Sequence, residues 1–172
     1  MFFPATSVVR SFKVFSKEAT MADKSELKKQ MLFSDLTDAE LGLMAQKITV
    51  ENYPKGKPIF TEGEPTKGIY LVKSGKVEIS KTTADGWKQT LAILSENHIF
   101  GELAVIEENK VHGATATAIE TTEVYRFKTE DFKAFEKSDT MMMYKIMKTI
   151  ARIASKNVHS MNEKLMKLLI SY

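Results

Sequence analysis

The sequence has no cysteine and only three arginines among its 172 residues. The absence of cysteine excludes disulfides, thiol catalysis and cysteine-ligated metal sites. The net charge of +3 comes almost wholly from lysines, which are spread along the chain and interleaved with acids. Because a DNA-binding surface would be expected to cluster Lys and Arg, we interpret these lysines as part of a solvated surface.

Long apolar runs are absent as well, since no stretch approaches the roughly 20 residues that a membrane-spanning helix requires. We therefore predict no membrane span and expect a cytoplasmic location. The three histidines, His98, His112 and His159, lack the spacing of metal ligands. No Ser/His/Asp set, Walker-type glycine-rich loop or paired-histidine motif occurs. The sequence thus predicts neither an enzyme nor a bound metal or cofactor.

Residues 1–24 are predicted to form a mobile N-terminal extension. The segment up to residue 20 is basic, contains Ser and Thr, and has no acid before Glu18. This composition is weakly typical of transit peptides, but the apolar stretches are short and lack the core of a signal peptide. We favour a mobile extension, or an upstream start ahead of a natural beginning near Met21.

Between about residues 50 and 127 the pattern is that of short strands. Apolar runs recur along this segment, and seven of the eight glycines separate them. Short strands punctuated by glycine predict a small antiparallel barrel or roll. Residues 73–76 and 84–86 are predicted to be hairpin turns, because each contains a glycine between two apolar runs.

Helices are predicted on both sides of these strands. Thr37 and Glu40 have the spacing of a capping box, Thr129 is predicted to cap a short helix, and Asp139 a longer one that runs to about residue 169. The chain is thus divided into a roll with flanking helices at 25–138 and a long C-terminal helix at 139–172. The first helix is expected to bury apolar residues at helical spacing: Leu41, Met44, Ala45 and Ile48.

The long C-terminal helix is predicted to form a dimer seam. A helix of roughly 30 residues extends about 45 Å, which is longer than a domain of this size can cover. A helix packed only on its own roll remains the alternative to a homodimer. The seam residues step by three or four: Met143, Met147, Ile150, Ala154, Asn157, Met161, Leu165 and Leu168.

The segment from Phe100 to Val105 carries the clearest functional pattern. It reads Phe-Gly-Glu-Leu-Ala-Val and is followed by Val-His-Gly-Ala-Thr at 111–115. A glycine at a strand end, followed by a short helical turn, points several backbone amides at one spot. Such a turn holds an anion without needing a lysine.

Several segments in this order resemble the cyclic-nucleotide-binding domain family. They are residues 33–36, 56–64, 69–78 and 100–104, and the resemblance covers about residues 30 to 165. It implies a mainly β fold with flanking helices: a double-stranded β-helix, or jelly-roll-like β-roll, followed by a long C-terminal dimerisation helix. It also implies a non-catalytic sensor that binds cyclic AMP, cyclic GMP or a related anionic ligand and transmits the signal through that helix.

The resemblance implies roles for five residues. Glu102 matches the carboxylate that accepts hydrogen bonds from the ribose 2′-hydroxyl. Gly101 shapes the turn, and backbone amides around Leu103 and Ala104 would reach the cyclic phosphate. Asn157 falls near the place where a polar residue of the long helix touches the purine; the alternative is that it sets the register of a dimer seam.

One position departs from the family pattern. His112 occupies the place of the arginine that pairs with the phosphate, and no arginine lies between Arg10 and Arg126. Histidine does not reproduce the bidentate guanidinium geometry. Losing a charge-assisted hydrogen bond predicts roughly 10- to 100-fold weaker binding. Gly113 and Ala114, assigned to the same ligand site, also lack the hydroxyl that many members place after the arginine.

Two interpretations of His112 remain open. It is either a replacement phosphate donor, helped by Lys110, whose binding tightens at lower pH, or a polar residue on a strand of a degenerate pocket. In the second case the chain is a ligand-free dimerisation or docking module of the same fold. A transcription factor is not expected, because the chain ends at Tyr172 and leaves no room for a helix-turn-helix after the long helix.

Overall fold

Residues 20–170, the part of the chain that the computed structural model describes, form two antiparallel sheets with helices before and after them. The first sheet has five strands and the second has four. The strands are β1 (Thr20–Met21), β2 (Ile48–Tyr53), β3 (Pro58–Phe60), β4 (Gly68–Ser74), β5 (Val77–Thr82), β6 (Lys88–Leu94), β7 (Ile99–Phe100), β8 (Thr115–Ala118) and β9 (Thr122–Lys128).

Five α-helices accompany the sheets in this part of the chain. A 3-10 turn at Met31–Phe33 lies between the first two of them. The helices are α1 (Lys24–Lys28), α2 (Asp38–Ala45), α3 (Glu102–Ile106), α4 (Thr129–Ser138) and α5 (Thr140–Ile170).

The chain passes back and forth between the two sheets. The five-stranded sheet has the order β1-β2-β9-β4-β7, and the four-stranded sheet has the order β3-β8-β5-β6. Successive strands therefore change sheet at every step from β2 to β9 except between β5 and β6. All pairings are antiparallel. This confirms the β-roll fold with a long C-terminal helix that the sequence predicts.

Strand β4 has a continuous apolar run because both of its faces are buried. Successive side chains of a strand point to opposite faces of the sheet. Ile69 and Leu71 join the core that packs against the helices, whereas Tyr70 and Val72 join the core between the two sheets. Both faces of the five-stranded sheet are thus covered, and all four side chains are buried.

The capping box at α2 is confirmed, and the cap predicted at Thr129 is wrong. Thr37 Oγ1 accepts from the Glu40 amide, and the Glu40 carboxylate accepts from the Thr37 amide at 2.7 Å. At α4, however, the N-cap residue is Lys128, and Thr129 Oγ1 is buried without a hydrogen-bond partner among the described residues. Ile48 belongs to β2 and not to the preceding helix.

Of the two predicted hairpins, one is confirmed. The turn at 84–86 joins β5 to β6, which pair with each other. The turn at 73–76 joins β4 to β5, which lie in different sheets, so the hairpin prediction there is wrong. Local sequence signals a turn at Gly75 but does not show which sheet receives the next strand.

Helix α5 begins directly after Asp139, whose carbonyl accepts from the Met143 amide at 3.0 Å. One face of its first half is buried against the rest of the domain, and the residues from 154 to 170 are all exposed. Two members of the predicted seam, Met143 and Ile150, are therefore buried within their own domain. The seam residues left exposed are Ala154, Asn157, Met161, Leu165 and Leu168.

The predicted N-terminal boundary at residue 24 falls inside the fold. Thr20 and Met21 pair with β2, and the Asp23 carboxylate accepts from the amides of Ser25 and Glu26 at the start of α1. The rest of the predicted extension, residues 1–19, lies outside the described residues. In residues 20–170 no helix is both long and apolar enough to cross a bilayer.

The turn at Gly75 gives a test of the fold. Gly75 and Gly86 both have a φ of +85°, but only at Gly75 would a Cβ meet other atoms, the nearest being Thr121 O at 2.6 Å. We expect Gly86→Ala to cost about 1–2 kcal/mol for the left-handed backbone. Gly75→Ala should cost a further 1–3 kcal/mol or so for the overlap. Urea unfolding of the two variants measures the difference, and equal costs would contradict the tight crossing between the sheets.

Candidate functional site

A cavity of about 490 Å³ lies between the roll and the middle of α5. Its walls come from β3, β5, β6, β7, α3, the segment before β8, and α5. All eight residues that the sequence analysis assigns to a ligand site line this one cavity: Gly101, Glu102, Leu103, Ala104, His112, Gly113, Ala114 and Asn157.

A second groove is slightly larger but is a poorer candidate for a ligand site. It has a volume of about 580 Å³ and is lined by residues of α5 alone, from Lys148 to His159. None of the predicted site residues lines it. A groove along one helix does not enclose a small ligand, so we take the first cavity as the candidate site.

The turn at Gly101 shapes the floor of the cavity. Gly101 has a φ of +76° and is the N-cap residue of α3. A Cβ at this position would lie 3.1 Å from Gly68 O and 3.2 Å from Tyr70 Cδ2. Both the backbone conformation and the close packing therefore require glycine. No side chain caps α3, and the first amides of a helix have no acceptor within it, so they remain available as donors to a ligand in the cavity that these residues line.

Glu102 follows this glycine and lines the cavity. Burial raises the pKa of its carboxyl, and a hydrogen bond with its own backbone amide opposes the shift. A partly buried carboxyl is costly unless it finds a polar partner. A ligand hydroxyl is such a partner, because it can donate to the ionised carboxylate or accept from the protonated form.

His112 is almost completely buried in the cavity wall. Only 2% of the residue is exposed, and its ring stacks on Phe60 with centroids 3.7 Å apart and planes 7° from parallel. Its backbone is fixed by bonds to Glu64 O at 2.8 Å and from the Gly63 amide at 2.9 Å. Among the described residues no group hydrogen-bonds Nε2.

The imidazole of His112 is held in its neutral form. Burial lowers its pKa, the Lys67 ammonium lowers it further, and the Glu64 carboxylate acts in the opposite direction. With the pKa lowered in this way, protonation of His112 requires a more acidic solution than protonation of a free histidine. At neutral pH the ring brings one donor and one acceptor to the site, and no charge.

Neither described arginine contributes to the cavity. Arg126 Nη1 donates to Glu51 Oε1 at 3.1 Å, and Arg152 Nη1 donates to Asp35 Oδ2 at 2.8 Å. Lys110, the predicted helper of His112, does not line the cavity either. The lysine that does is Lys81 of β5, which the sequence analysis does not single out.

Other lining residues also escape the sequence analysis. Asn109 Nδ2 donates to Glu107 Oε2 at 2.7 Å, which fixes a polar pair at the rim. The side chains of a strand alternate between its two faces. Because Ile79 lies in the cavity wall, Lys81, two residues further along β5, lies on the same face. The remaining wall is mainly apolar and comes from β3, β5, β6 and β7: Phe60, Ile79, Leu91, Leu94, Ile99 and Phe100.

Comparisons with known proteins identify the family of this domain. Residues 50–139, more than half of the chain, match the cyclic nucleotide-binding domain family. The cyclic AMP receptor protein of Thermus thermophilus is 33% identical over 126 residues, which cover 73% of this chain and 58% of that protein. The cGMP-dependent protein kinase of Plasmodium berghei is 35% identical over 98 residues, 57% of this chain and 10% of the kinase.

A solved structure gives the same result. The crystal structure of the Thermus thermophilus catabolite activator protein matches with a TM-score of 0.66 and 30% identity, covering 81% of this chain and 63% of that one. This chain belongs to the cyclic nucleotide-binding domain family. It spans less than two thirds of the length of the curated relatives named above.

The environment of His112 predicts a pH dependence of stability. Because the folded state holds the pKa of His112 below the unfolded value of about 6.5, the unfolded chain takes up the proton first. The contribution of His112 to the free energy of unfolding should be fully present above pH 6.5. It should decrease as the pH falls through the folded-state pKa. Urea unfolding between pH 8 and pH 5 measures this loss, and His112→Gln should reduce it.

The matched control is His98→Gln, because His98 is exposed. The raised pKa of Glu102 acts with the opposite sign, since it favours the folded state at low pH, and comparison of the two variants cancels it. If His112→Gln and His98→Gln follow the same pH dependence, the buried neutral state of His112 is refuted.

Proposed function

We propose that this chain is a non-catalytic regulatory domain that binds a cyclic nucleotide, cyclic AMP or cyclic GMP, or a related anionic ligand. The observation that carries the proposal is the shared cavity. It joins the amide-rich turn at Gly101, the Glu102 carboxyl and Asn157 of the long helix. The family membership and the printed functions of two relatives, a cyclic AMP receptor and a cGMP-dependent kinase, support the ligand class.

In the proposed complex each part of the ligand meets matching chemistry. The cyclic phosphate lies at the first turn of α3, where the amides of Leu103 and Ala104 donate to it. The ribose hydroxyl meets Glu102. The flat base fills the apolar side of the cavity, with Leu91 on one side and Asn157 available to hydrogen-bond its edge.

The proposed signal passes through α5. Asn157 lies where α5 leaves the domain, after its last buried residue, Ile150. A ligand that contacts both Asn157 and α3 binds more tightly when α5 is close to the roll. It then shifts α5 by the difference between its affinities for the two positions.

A ligand-free docking module of the same fold is the second candidate. The observation that favours it is the stack of His112 on Phe60, because a neutral ring packed flat against an aromatic face needs no phosphate to balance a charge. Even in the first candidate, His112 in place of arginine weakens binding, since it supplies neither charge nor a bidentate contact.

A histidine-to-arginine exchange distinguishes the two candidates. We expect His112→Arg to bind cyclic AMP or cyclic GMP roughly 10- to 100-fold more tightly than the wild type, because a charge-assisted hydrogen bond is restored. Isothermal titration calorimetry at pH 6 and pH 8 measures both proteins. Guanidinium groups also stack on aromatic rings, so Phe60 can accept the new side chain.

The control is the double variant His112→Arg with Glu102→Ala, which should lose most of the gain because the ribose contact is gone. If neither the wild type nor His112→Arg binds millimolar cyclic nucleotide at either pH, the sensor function is refuted. The docking module then stands.

We also propose that the exposed half of α5 forms a homodimer. Leu165 belongs to the predicted seam and Met166 lies next to it around the helix, and both are 55% exposed. Leu165→Asp places a charge in the seam and should raise the dimer dissociation constant at least about tenfold, or 1.4 kcal/mol. Met166→Asp should change it little. Analytical ultracentrifugation measures both, and equal effects or a monomeric wild type would contradict the seam.

A further inference from the structure

We propose that Lys81 supplies the positive charge that neutralises the phosphate of the bound ligand. This inference rests on the proposed function and assigns to a neighbouring strand the charge that the missing arginine would bring. Lys81 lies on β5 and lines the cavity. Neither the Gly101–Ala104 turn nor the segment from His112 to Ala114 contains a lysine or an arginine.

The ionisable groups of the cavity wall favour a cation beside the phosphate, in addition to the amides of the Gly101 turn. Four described wall residues can carry charge: Glu102, Glu107, Lys81 and His112. Two of them are carboxyls, and His112 is neutral at neutral pH. A phosphate that enters beside two carboxyls without a cation would be a poorly solvated charge of the same sign. Lys81 is the wall residue, within the described part of the chain, that can compensate it at neutral pH.

The strand register places Lys81 at the end of β5 nearest the segment that contains His112. Strands β5 and β8 are antiparallel, and the last residue of β5 that pairs with β8 is Ser80, which lies opposite Thr115. Lys81 is the next residue of β5 after this pair, and Ala114, two residues after His112, directly precedes Thr115. Lys81, Ala114 and His112 all line the same cavity, so a ligand in it can meet both the lysine and the histidine.

The present partner of Lys81 is weakly held. Lys81 Nζ lies 3.7 Å from Glu62 Oε1, and the two side chains are 51% and 39% exposed. Such exposed pairs contribute little to stability. The Glu62 amide donates to Thr115 Oγ1 at 3.0 Å, which holds the Glu62 backbone beside β8. Lys81 can therefore exchange the Glu62 carboxylate for a phosphate oxygen through a rotation of its flexible stem.

The experiment compares Lys81→Met with Lys88→Met in the full chain. Lys88 lies on the same hairpin, pairs with Glu78 and has a similarly exposed side chain, 55% against 51% for Lys81. Both substitutions remove one charge, so a general change in electrostatic potential affects them equally. We expect calorimetry to show at least tenfold weaker cyclic AMP binding for Lys81→Met, and less than a twofold change for Lys88→Met.

Two further measurements identify the contact as one with phosphate. Lys81→Met should leave the affinity for adenosine, which has the base and ribose without the phosphate, within twofold. Glu62→Gln should tighten cyclic AMP binding, because Lys81 is released from its partner. A loss of adenosine binding equal to that of cyclic AMP would overturn the proposal, because Lys81 would then contact the base or ribose.

Failure of this inference differs from failure of the proposed function. If the wild type binds cyclic AMP and Lys81→Met binds it as well as Lys88→Met does, Lys81 is not the phosphate cation, and the sensor function stands. The same comparison is made in the His112→Arg background if the wild type binds too weakly to measure. If neither background binds, both proposals are overturned.

Discussion

The five-stranded sheet must bury both of its faces, and the rest of the molecule follows from this constraint. One face packs against the helices and the other against the second sheet. Alternate residues of β4 therefore serve two cores at once, as Leu71 and Tyr70 do. Tyr70 also contacts the turn at Gly101, so the packing between the sheets positions the backbone that forms the floor of the cavity.

Sequence reasoning succeeds here where structure depends on neighbours along the chain. The Thr37 capping box and the left-handed Gly101 turn depend on residue types at short spacing, and both are present. The remaining site residues were assigned from the family resemblance, and all of them line one cavity. Among them, Asn157 is separated from Glu102 by more than fifty positions of sequence. That juxtaposition comes from the family pattern and not from any local signal.

Sequence reasoning fails where the outcome depends on distant contacts. The Gly75 turn is visible locally, but whether the next strand pairs back or crosses to the other sheet is decided by β9 and β8. The pKa of His112 depends on its burial against Phe60, which is separated from it by about fifty residues. Lys81 reaches the cavity because β5 pairs with β8, a pairing that its own sequence does not specify.

The cavity wall is divided between residues that the core needs and residues that it does not. Phe60, Phe100 and His112 are buried, whereas Leu91, Leu103 and other rim residues are exposed. Exposed positions usually tolerate substitution within about 0.5 kcal/mol, so the rim is able to diverge while the floor stays constant. The lining of the cavity and the stability of the fold are therefore largely separable: substitutions at the rim change the surface that a bound molecule would meet at little cost to folding.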